Sequence, residues 1–355
     1  MTKYALLIAA ASGLFSCMQP AGDKIDEIMH EYSGEESPGA ALMVIKDGQP
    51  VLTRSYGLAD IENKTPVTAT TNFRLASITK QFTATAVLTL VQDSLLTVET
   101  PIRKILPELP PATEGITIRH LLNHTSGIID YEDFVADTAM NPQITDAGVL
   151  EILRDKDSLY FTPGEKYRYS NSAYALLALV VERISGKSFA SYLKDRIFLP
   201  LGMDNTVAYE KGITEVPNRA FGHDKKDGNW IRRDQSSTSA VLGDGGIYSS
   251  VTDLFKWDQA LYTDAILSDS LRLKMFEYQQ LNDGETIPYG WGFHLKKNEK
   301  GDEVVYHTGS TTSFRNIFYR IPGKKLSVIL LTNRNFPAEF GMVPLAEAVI
   351  AEFDK

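Results

Sequence analysis

At 355 residues, with 43% hydrophobic and 23% charged side chains, the chain has the composition of an ordinary globular protein with room for one large domain or two closely joined ones. Its net charge of −9, with no basic block or arginine-rich helix, argues against nucleic acid as a partner. The single cysteine excludes an intramolecular disulfide and a thiolate metal site, so the fold has to rest on its hydrophobic core.

The N-terminus reads as an export segment. Lys3 precedes an apolar stretch over residues 4–15 that is too short to span a bilayer as a mature helix. It ends in Leu14-Phe15-Ser16-Cys17, which is similar to a bacterial lipoprotein cleavage box, where the cysteine is lipidated and becomes the new N-terminus. Ordinary secretion with Cys17 incidental is the alternative. Residues 1–17 are thus expected to be the signal segment of a periplasmic or envelope protein, and residues 21–355 the folded domain. No later apolar run reaches spanning length, so a lipid on Cys17 would be the membrane contact.

Helical spacing of Ile25, Ile28, Met29 and Tyr32 predicts an amphipathic helix over residues 23–32, ended by Gly34. A hairpin follows. Its strands, residues 40–46 and 49–56, flank Asp47-Gly48, a dipeptide that supplies the positive φ angles of a two-residue turn. Residues 77–92 are rich in apolar side chains and Thr, with Lys80 as the only charge, which predicts a buried helix beginning at Ser77. Residues 97–240 read as a helical block jointed by Pro101, Pro107, Pro110, Pro111, Pro163 and Pro200. Strands are expected again at 303–307, 313–321 and 325–332, before a closing helix over 337–353. Strands from both chain ends can share one sheet only if the middle bulges out. The expected fold is α+β, an antiparallel β-sheet flanked by helices with an inserted all-helical lobe at about 97–240, and active sites favour such seams.

Three short strings carry chemistry. In Ser77-Ile78-Thr79-Lys80, positions i and i+3 share a helix face, so the Lys80 amine can reach the Ser77 hydroxyl. Burial disfavours the ammonium, making a neutral amine that takes the serine proton plausible near neutral pH. Ser191-Tyr192-Leu193-Lys194 has the same spacing but lies beside Asp195 and Arg196, as a solvated surface pair would. Tyr169-Ser170-Asn171 follows a turn signal and enters an apolar helix closed by Gly186. Its phenol can relay protons and its carboxamide can orient a substrate amide or the lysine, although both could equally cap and pack. His307-Thr308-Gly309-Ser310 ends a strand, and the glycine lets a ligand approach the backbone. The amides of Ser77 and Ser310 are candidates for an oxyanion site.

In this combination the strings resemble the serine β-lactamase and penicillin-binding protein superfamily, in the branch of class C β-lactamases, D-alanyl-D-alanine carboxypeptidases and related esterases. The resemblance extends to Leu121-Leu122-Asn123-His124-Thr125-Ser126-Gly127, to Gly245-Gly246-Ile247-Tyr248-Ser249 and to Tyr289-Gly290-Trp291-Gly292. It implies an acyl-enzyme on Ser77, with Lys80 as base and Tyr169 as proton relay. Asn171 would bind the substrate or steady Lys80, and His307, Thr308, Gly309 and Ser310 would line the substrate-facing strand. No cofactor or metal is implied, and the partner is a small-molecule or peptide substrate. His307 stands where class C β-lactamases usually carry lysine, which makes cephalosporinase activity less expected; Arg315 is a candidate for the missing charge.

Other patterns are weaker. His120 and His124 are four apart without a third ligand nearby, and read as structural. Gly243-Asp244-Gly245-Gly246 is most simply a turn, with a pocket wall as a secondary reading. A catalytically silent protein that binds or senses cell-wall peptides is the competing functional class. Retention of serine, lysine, tyrosine and asparagine together argues for the enzyme.

Overall fold

The structure, a computed structural model, describes residues 21–136, 142–335 and 341–354. Cys17 and the export segment lie outside the described residues, as does the expected start of the closing helix, which is observed as Met342–Phe353. Among the described residues no helix is long and apolar enough to cross a membrane.

The main sheet joins the two ends of the chain. Its strands are β1 (Ala40–Lys46), β2 (Gln49–Tyr56), β3 (His294–Lys297), β4 (Glu303–Thr311), β5 (Phe314–Ile321) and β6 (Leu326–Thr332). They form a six-stranded antiparallel sheet in the order β3-β4-β5-β6-β1-β2. The seam is β1 against β6, with Ala40 opposite Thr332. Asp47 at φ 52° and Gly48 at φ 76° turn the first hairpin, since both central residues of its tight turn need the left-handed region.

Both faces of the sheet are covered, which is why β1 and β6 are apolar almost throughout. One face carries Leu42, Val44, Ile317, Tyr319 and Leu330 against the terminal helices, through Ile25, Met29, Leu345 and Val349. The opposite face carries Ala41, Met43, Phe318 and Ile329 against the helix Thr79–Gln92 and its surroundings. That helix is buried from Thr79 to Leu90, as its lack of a polar face requires.

The inserted block departs from the all-helical expectation. Its helices Asn171–Ser185 and Phe189–Leu193 pack on the Thr79–Gln92 helix, Ile118–Leu122 and Asp146–Arg154 pack in turn on Asn171–Ser185, and Gly186 closes Asn171–Ser185 at φ 69°. Beyond them the chain forms a short strand Val207–Ala208 and a surface hairpin, His223–Lys226 with Asn229–Arg232. Asp227 and Gly228, at φ 51° and 81°, turn that hairpin as Asp47-Gly48 turns the first. Its strands are mostly polar and exposed, so they lack the apolar alternation that marks a half-buried strand.

Candidate active site

The site lies where the Thr79–Gln92 helix meets the free edge of β4. β3 pairs with β4 only from Glu303 to Tyr306, so among the described residues the backbone from His307 to Thr311 has no strand on that side. Gly309 lets β4 close on the turn before Ser77, because a Cβ there would lie 2.0 Å from the Leu75 carbonyl oxygen. Ala76 sits at φ 50°, a strained conformation for a residue with a Cβ. It delivers Ser77 to a cleft lined also by Arg74, Tyr131, Glu132, Asn171, Asp244 and Ser310.

Lys80 is fully buried on the first turn of the helix. Its Nζ lies 3.3 Å from Ser77 Oγ, and donates to Asn171 Oδ1 at 2.8 Å and to the Asp244 carbonyl at 2.9 Å. Burial lowers its pKa to about 8, against the opposing pull of Asp244, Glu132 and Asp130. The two carbonyls match the two hydrogens of a neutral amine. The remaining lone pair then faces the Ser77 hydroxyl, the arrangement a proton acceptor needs.

Each acceptor is held from behind. Asn171 donates its amide Nδ2 to Glu132 at 3.0 Å, which turns Oδ1 toward Lys80, and its backbone N–H donates to Asp130 at 3.0 Å. The short helix Leu242–Gly245 presents the Asp244 carbonyl, and Asp146 accepts from the N–H groups of Leu242 and Gly243 at 2.9 and 3.0 Å. Thr83 donates to the Gly243 carbonyl and Tyr131 to the Asp244 carboxylate. Burial pushes the Asp244 and Asp146 carboxyls up. The segment 243–246 is thus a pocket wall, the secondary reading of its sequence, and not merely a turn.

Tyr169 lies under the amine, with its ring centroid 4.9 Å from Lys80 Nζ. Its hydroxyl is buried and faces Ser77, which eases the phenol's ionisation a little, but the pair lacks hydrogen-bond geometry in the ligand-free site. Burial dominates and pushes the phenol pKa well up, so Tyr169 is protonated at neutral pH.

The structure places the other predicted residues differently from one another. Ser310 is exposed at the cleft, while His307 of the same strand is buried with its ring centroid 6.1 Å from that of Tyr169. His307 Nδ1 donates to the Thr308 carbonyl at 2.6 Å, so Nε2 accepts from the Tyr289 hydroxyl at 3.1 Å and the ring is neutral. Burial and the neighbouring His294 hold its pKa well below the usual histidine value. Gly309 is buried against Leu75 and Ala76, and Thr308 is half-buried beside it. Arg315 is not the missing cation: its strand position shares a face with Ile317 and Tyr319, which pack on the terminal helices, and its Nη1 reaches the Asn335 carbonyl at 3.5 Å. Its charge acts on the buried phenol of Tyr32 on that far side. His120 closes a capping box with Thr117, and Ser191 and Lys194 are both exposed. Glu132, Asp130 and Asp146 escaped the sequence reading, because nothing local marks a carboxylate that meets its partner across a fold.

A protein-family model described as Beta-lactamase matches residues 23–352. The chain belongs to the Beta-lactamase family. It is 31% identical over 332 residues to penicillin-binding protein 4* of Bacillus subtilis (strain 168), covering 90% of this chain and 72% of that relative. To a D-aminopeptidase of Gluconobacter oxydans (strain 621H) it is 28% identical over 88% of this chain, but it spans only 59% of that protein's length. Among solved structures, the octameric penicillin-binding protein homologue from Pyrococcus abyssi matches with a TM-score of 0.80 at 29% identity, over 94% of this chain and 76% of that one. The D-amino acid amidase from Ochrobactrum anthropi SV3, complexed with L-phenylalanine amide, matches with a TM-score of 0.79 at 25% identity, over 95% of this chain and 99% of that one. This Beta-lactamase-family member is a serine hydrolase.

The contact at Gly309 yields a test of the cleft's construction. Gly309→Ala is expected to force β4 away from Leu75, lowering stability by about 1–3 kcal/mol as other overpacked sites do. It should also slow covalent labelling by a serine-reactive fluorophosphonate, read by mass spectrometry. Full-speed labelling with an unchanged urea midpoint would show that the close approach is not needed.

Proposed function

We propose that this serine hydrolase forms its acyl-enzyme on Ser77 and acts on amides or short peptides of D-amino acids that carry a free α-ammonium group. The observation that carries the mechanism is the Lys80 amine, buried between two carbonyls and 3.3 Å from the Ser77 hydroxyl. Ser77 Oγ attacks the substrate carbonyl carbon as its proton passes to Lys80. The C–N bond then breaks, and the departing amine takes a proton from Tyr169, a phenol held protonated by burial. Lys80 returns the proton to the phenol, and water, deprotonated by the same pair, hydrolyses the ester. The backbone amides of Ser77 and Ser310, residues that share the cleft, are assigned to the carbonyl oxygen.

The substrate class follows from charge. Glu132 stands in the cleft wall beside Asn171. His307 is neutral and buried, Arg315 is on the other face of the sheet, and Arg74 is turned onto the carbonyls of Gly245 and Ser239. A substrate ammonium therefore has a counter-charge here, whereas a terminal carboxylate meets none of these cations freely. The names of two relatives, a D-aminopeptidase and a D-amino acid amidase, supply the D configuration. A D-Ala-D-Ala peptide, a cephalosporin and a short-chain ester are the competing substrates, and faster turnover of any of them than of D-alanine p-nitroanilide would overturn this choice.

The same proposal places the enzyme in the bacterial envelope, exported by its N-terminal segment and anchored through Cys17. Labelled palmitate should enter the wild type and not Cys17→Ser; equal labelling would place the lipid elsewhere.

The lysine predicts a pH profile. Its folded pKa, lowered from 10.5 to about 8, leaves the base protonated at acid pH, so kcat/KM for N-acetyl-D-alanine p-nitroanilide, which has no substrate ammonium to titrate, should rise through about pH 8 and fall as pH drops below it. Lys80→Arg, permanently charged, should acylate roughly 10²–10⁴-fold more slowly. A flat profile from pH 6 to 9, or acylation at normal speed in Lys80→Arg, would move the base elsewhere.

Glu132→Gln keeps an acceptor for Asn171 but removes the charge. It should raise KM for D-alanine p-nitroanilide about 10–100-fold, the loss expected for one charged hydrogen bond, while leaving N-acetyl-D-alanine p-nitroanilide unaffected. An equal effect on both would show that Glu132 serves Asn171 alone.

A further inference from the structure

His124 belongs to the string Leu121-Leu122-Asn123-His124-Thr125-Ser126-Gly127, and the chemistry proposed above makes no use of it. We propose that His124 is a positioning residue for the reaction, gripping the chain on both sides of Tyr169 so that its phenol is held beside Lys80 and Ser77. The inference rests on the reading of Tyr169 as the proton relay.

The grip is made of two hydrogen bonds from consecutive flanks. The N–H of Arg168 donates to the His124 carbonyl at 3.0 Å, and the N–H of Ser170 donates to His124 Nδ1 at 3.1 Å. The two donors are the residues immediately before and after Tyr169. His124 sits at φ 61°, in the left-handed region that His, Asn and Asp enter more readily than other side chains with a Cβ. Its ring also lies on the Tyr169 ring, with centroids 4.3 Å apart at 36°. Tyr174 and Tyr289, at 5.0 and 4.5 Å, close the cage around it. Backbone on either side and ring face together leave Tyr169 little freedom.

Packing alone does not explain an imidazole at this place. Because Nδ1 accepts a hydrogen bond, Nε2 carries the ring proton, and it is buried without a partner among the described residues. A buried donor left without an acceptor costs stability. Phenylalanine would fill the same aromatic cage without that cost, but it has no acceptor for Ser170. The ring is held neutral by burial first, and by the other groups facing it that would repel a second positive charge, Lys80 from the buried helix and the imidazoles of His294 and His307 from β3 and β4. The acceptor at Nδ1 is thereby kept available.

The test is a double-mutant cycle on D-alanine p-nitroanilide hydrolysis by the full chain. His124→Phe should lower kcat about 10–100-fold with little change in KM, the scale of a misplaced reacting group. His124→Asn, which offers Oδ1 near the position of Nδ1 and tolerates a positive φ, should recover kcat to within about threefold of wild type. In a Tyr169→Phe background, His124→Phe should slow the enzyme no further. Independent, multiplying losses would overturn the positioning role, as would wild-type kcat in His124→Phe. A different result, wild-type kcat in Tyr169→Phe, counts against the relay reading itself. If His124→Phe does not fold, His124→Asn decides the matter: a folded Asn variant more than tenfold slow in kcat overturns the inference, and one near wild type supports it.

Discussion

The site depends on one constraint: an amine buried on the first turn of a helix that has no other charge. Lys80 belongs to a helix buried from Thr79 to Leu90, and its Nζ lies over the Tyr169 and Tyr174 rings and meets two carbonyl oxygens and one hydroxyl. Water that would hold a proton on the amine is excluded, while the carbonyls satisfy two hydrogens without supplying a full negative charge. Direct pairing with a carboxylate would keep the ammonium charged and useless as a base. The carboxylates nearby stand one step back: Glu132 acts on Asn171, and the Asp244 side chain turns to Tyr131 while its backbone faces the lysine.

The rest of the fold keeps those distances. The sheet closes the two chain ends together through β1 and β6, fixing β4 and β5 against the turn before Ser77. Asn316 of β5 ties that turn to the sheet, donating to the Arg74 carbonyl at 2.8 Å and accepting from Thr332 at 3.0 Å. From the other side the helical block brings Asn171 and Glu132, and Asp146 secures the wall that carries the Asp244 carbonyl. Elements far apart in sequence thus meet at one nitrogen.

Much of this was legible beforehand, and the gaps have physical causes. The first hairpin and its Asp47-Gly48 turn, the sheet shared by the chain ends, and the buried helix opened by Ser77 follow from local turn chemistry and apolar runs. The later hairpin at Asp227-Gly228 carried the same turn signal but was hidden by polar, exposed strands of four residues each. The direction of Arg315 was illegible for the opposite reason. A sheet covered on both faces loses the polar and apolar alternation that tells in from out, so nothing local distinguished the face of His307 from that of Arg315. Within the site, the i, i+3 contact of Ser77 and Lys80 is local and readable, whereas the Lys80 contact with Asp244 spans 164 positions and leaves no pattern in the chain.

The protonation of Lys80 can be observed directly. In protein carrying lysine labelled with ¹³C at Cε and ¹⁵N at Nζ, with the Lys80 signal assigned by its loss in Lys80→Arg, an NMR titration follows this one amine in the ligand-free enzyme. A midpoint near 8, well below the 10.5 of an ordinary lysine, is the expected result. A Lys80 that keeps its proton to pH 10 or beyond would contradict the central claim, since no amine would then be free to take the proton of Ser77.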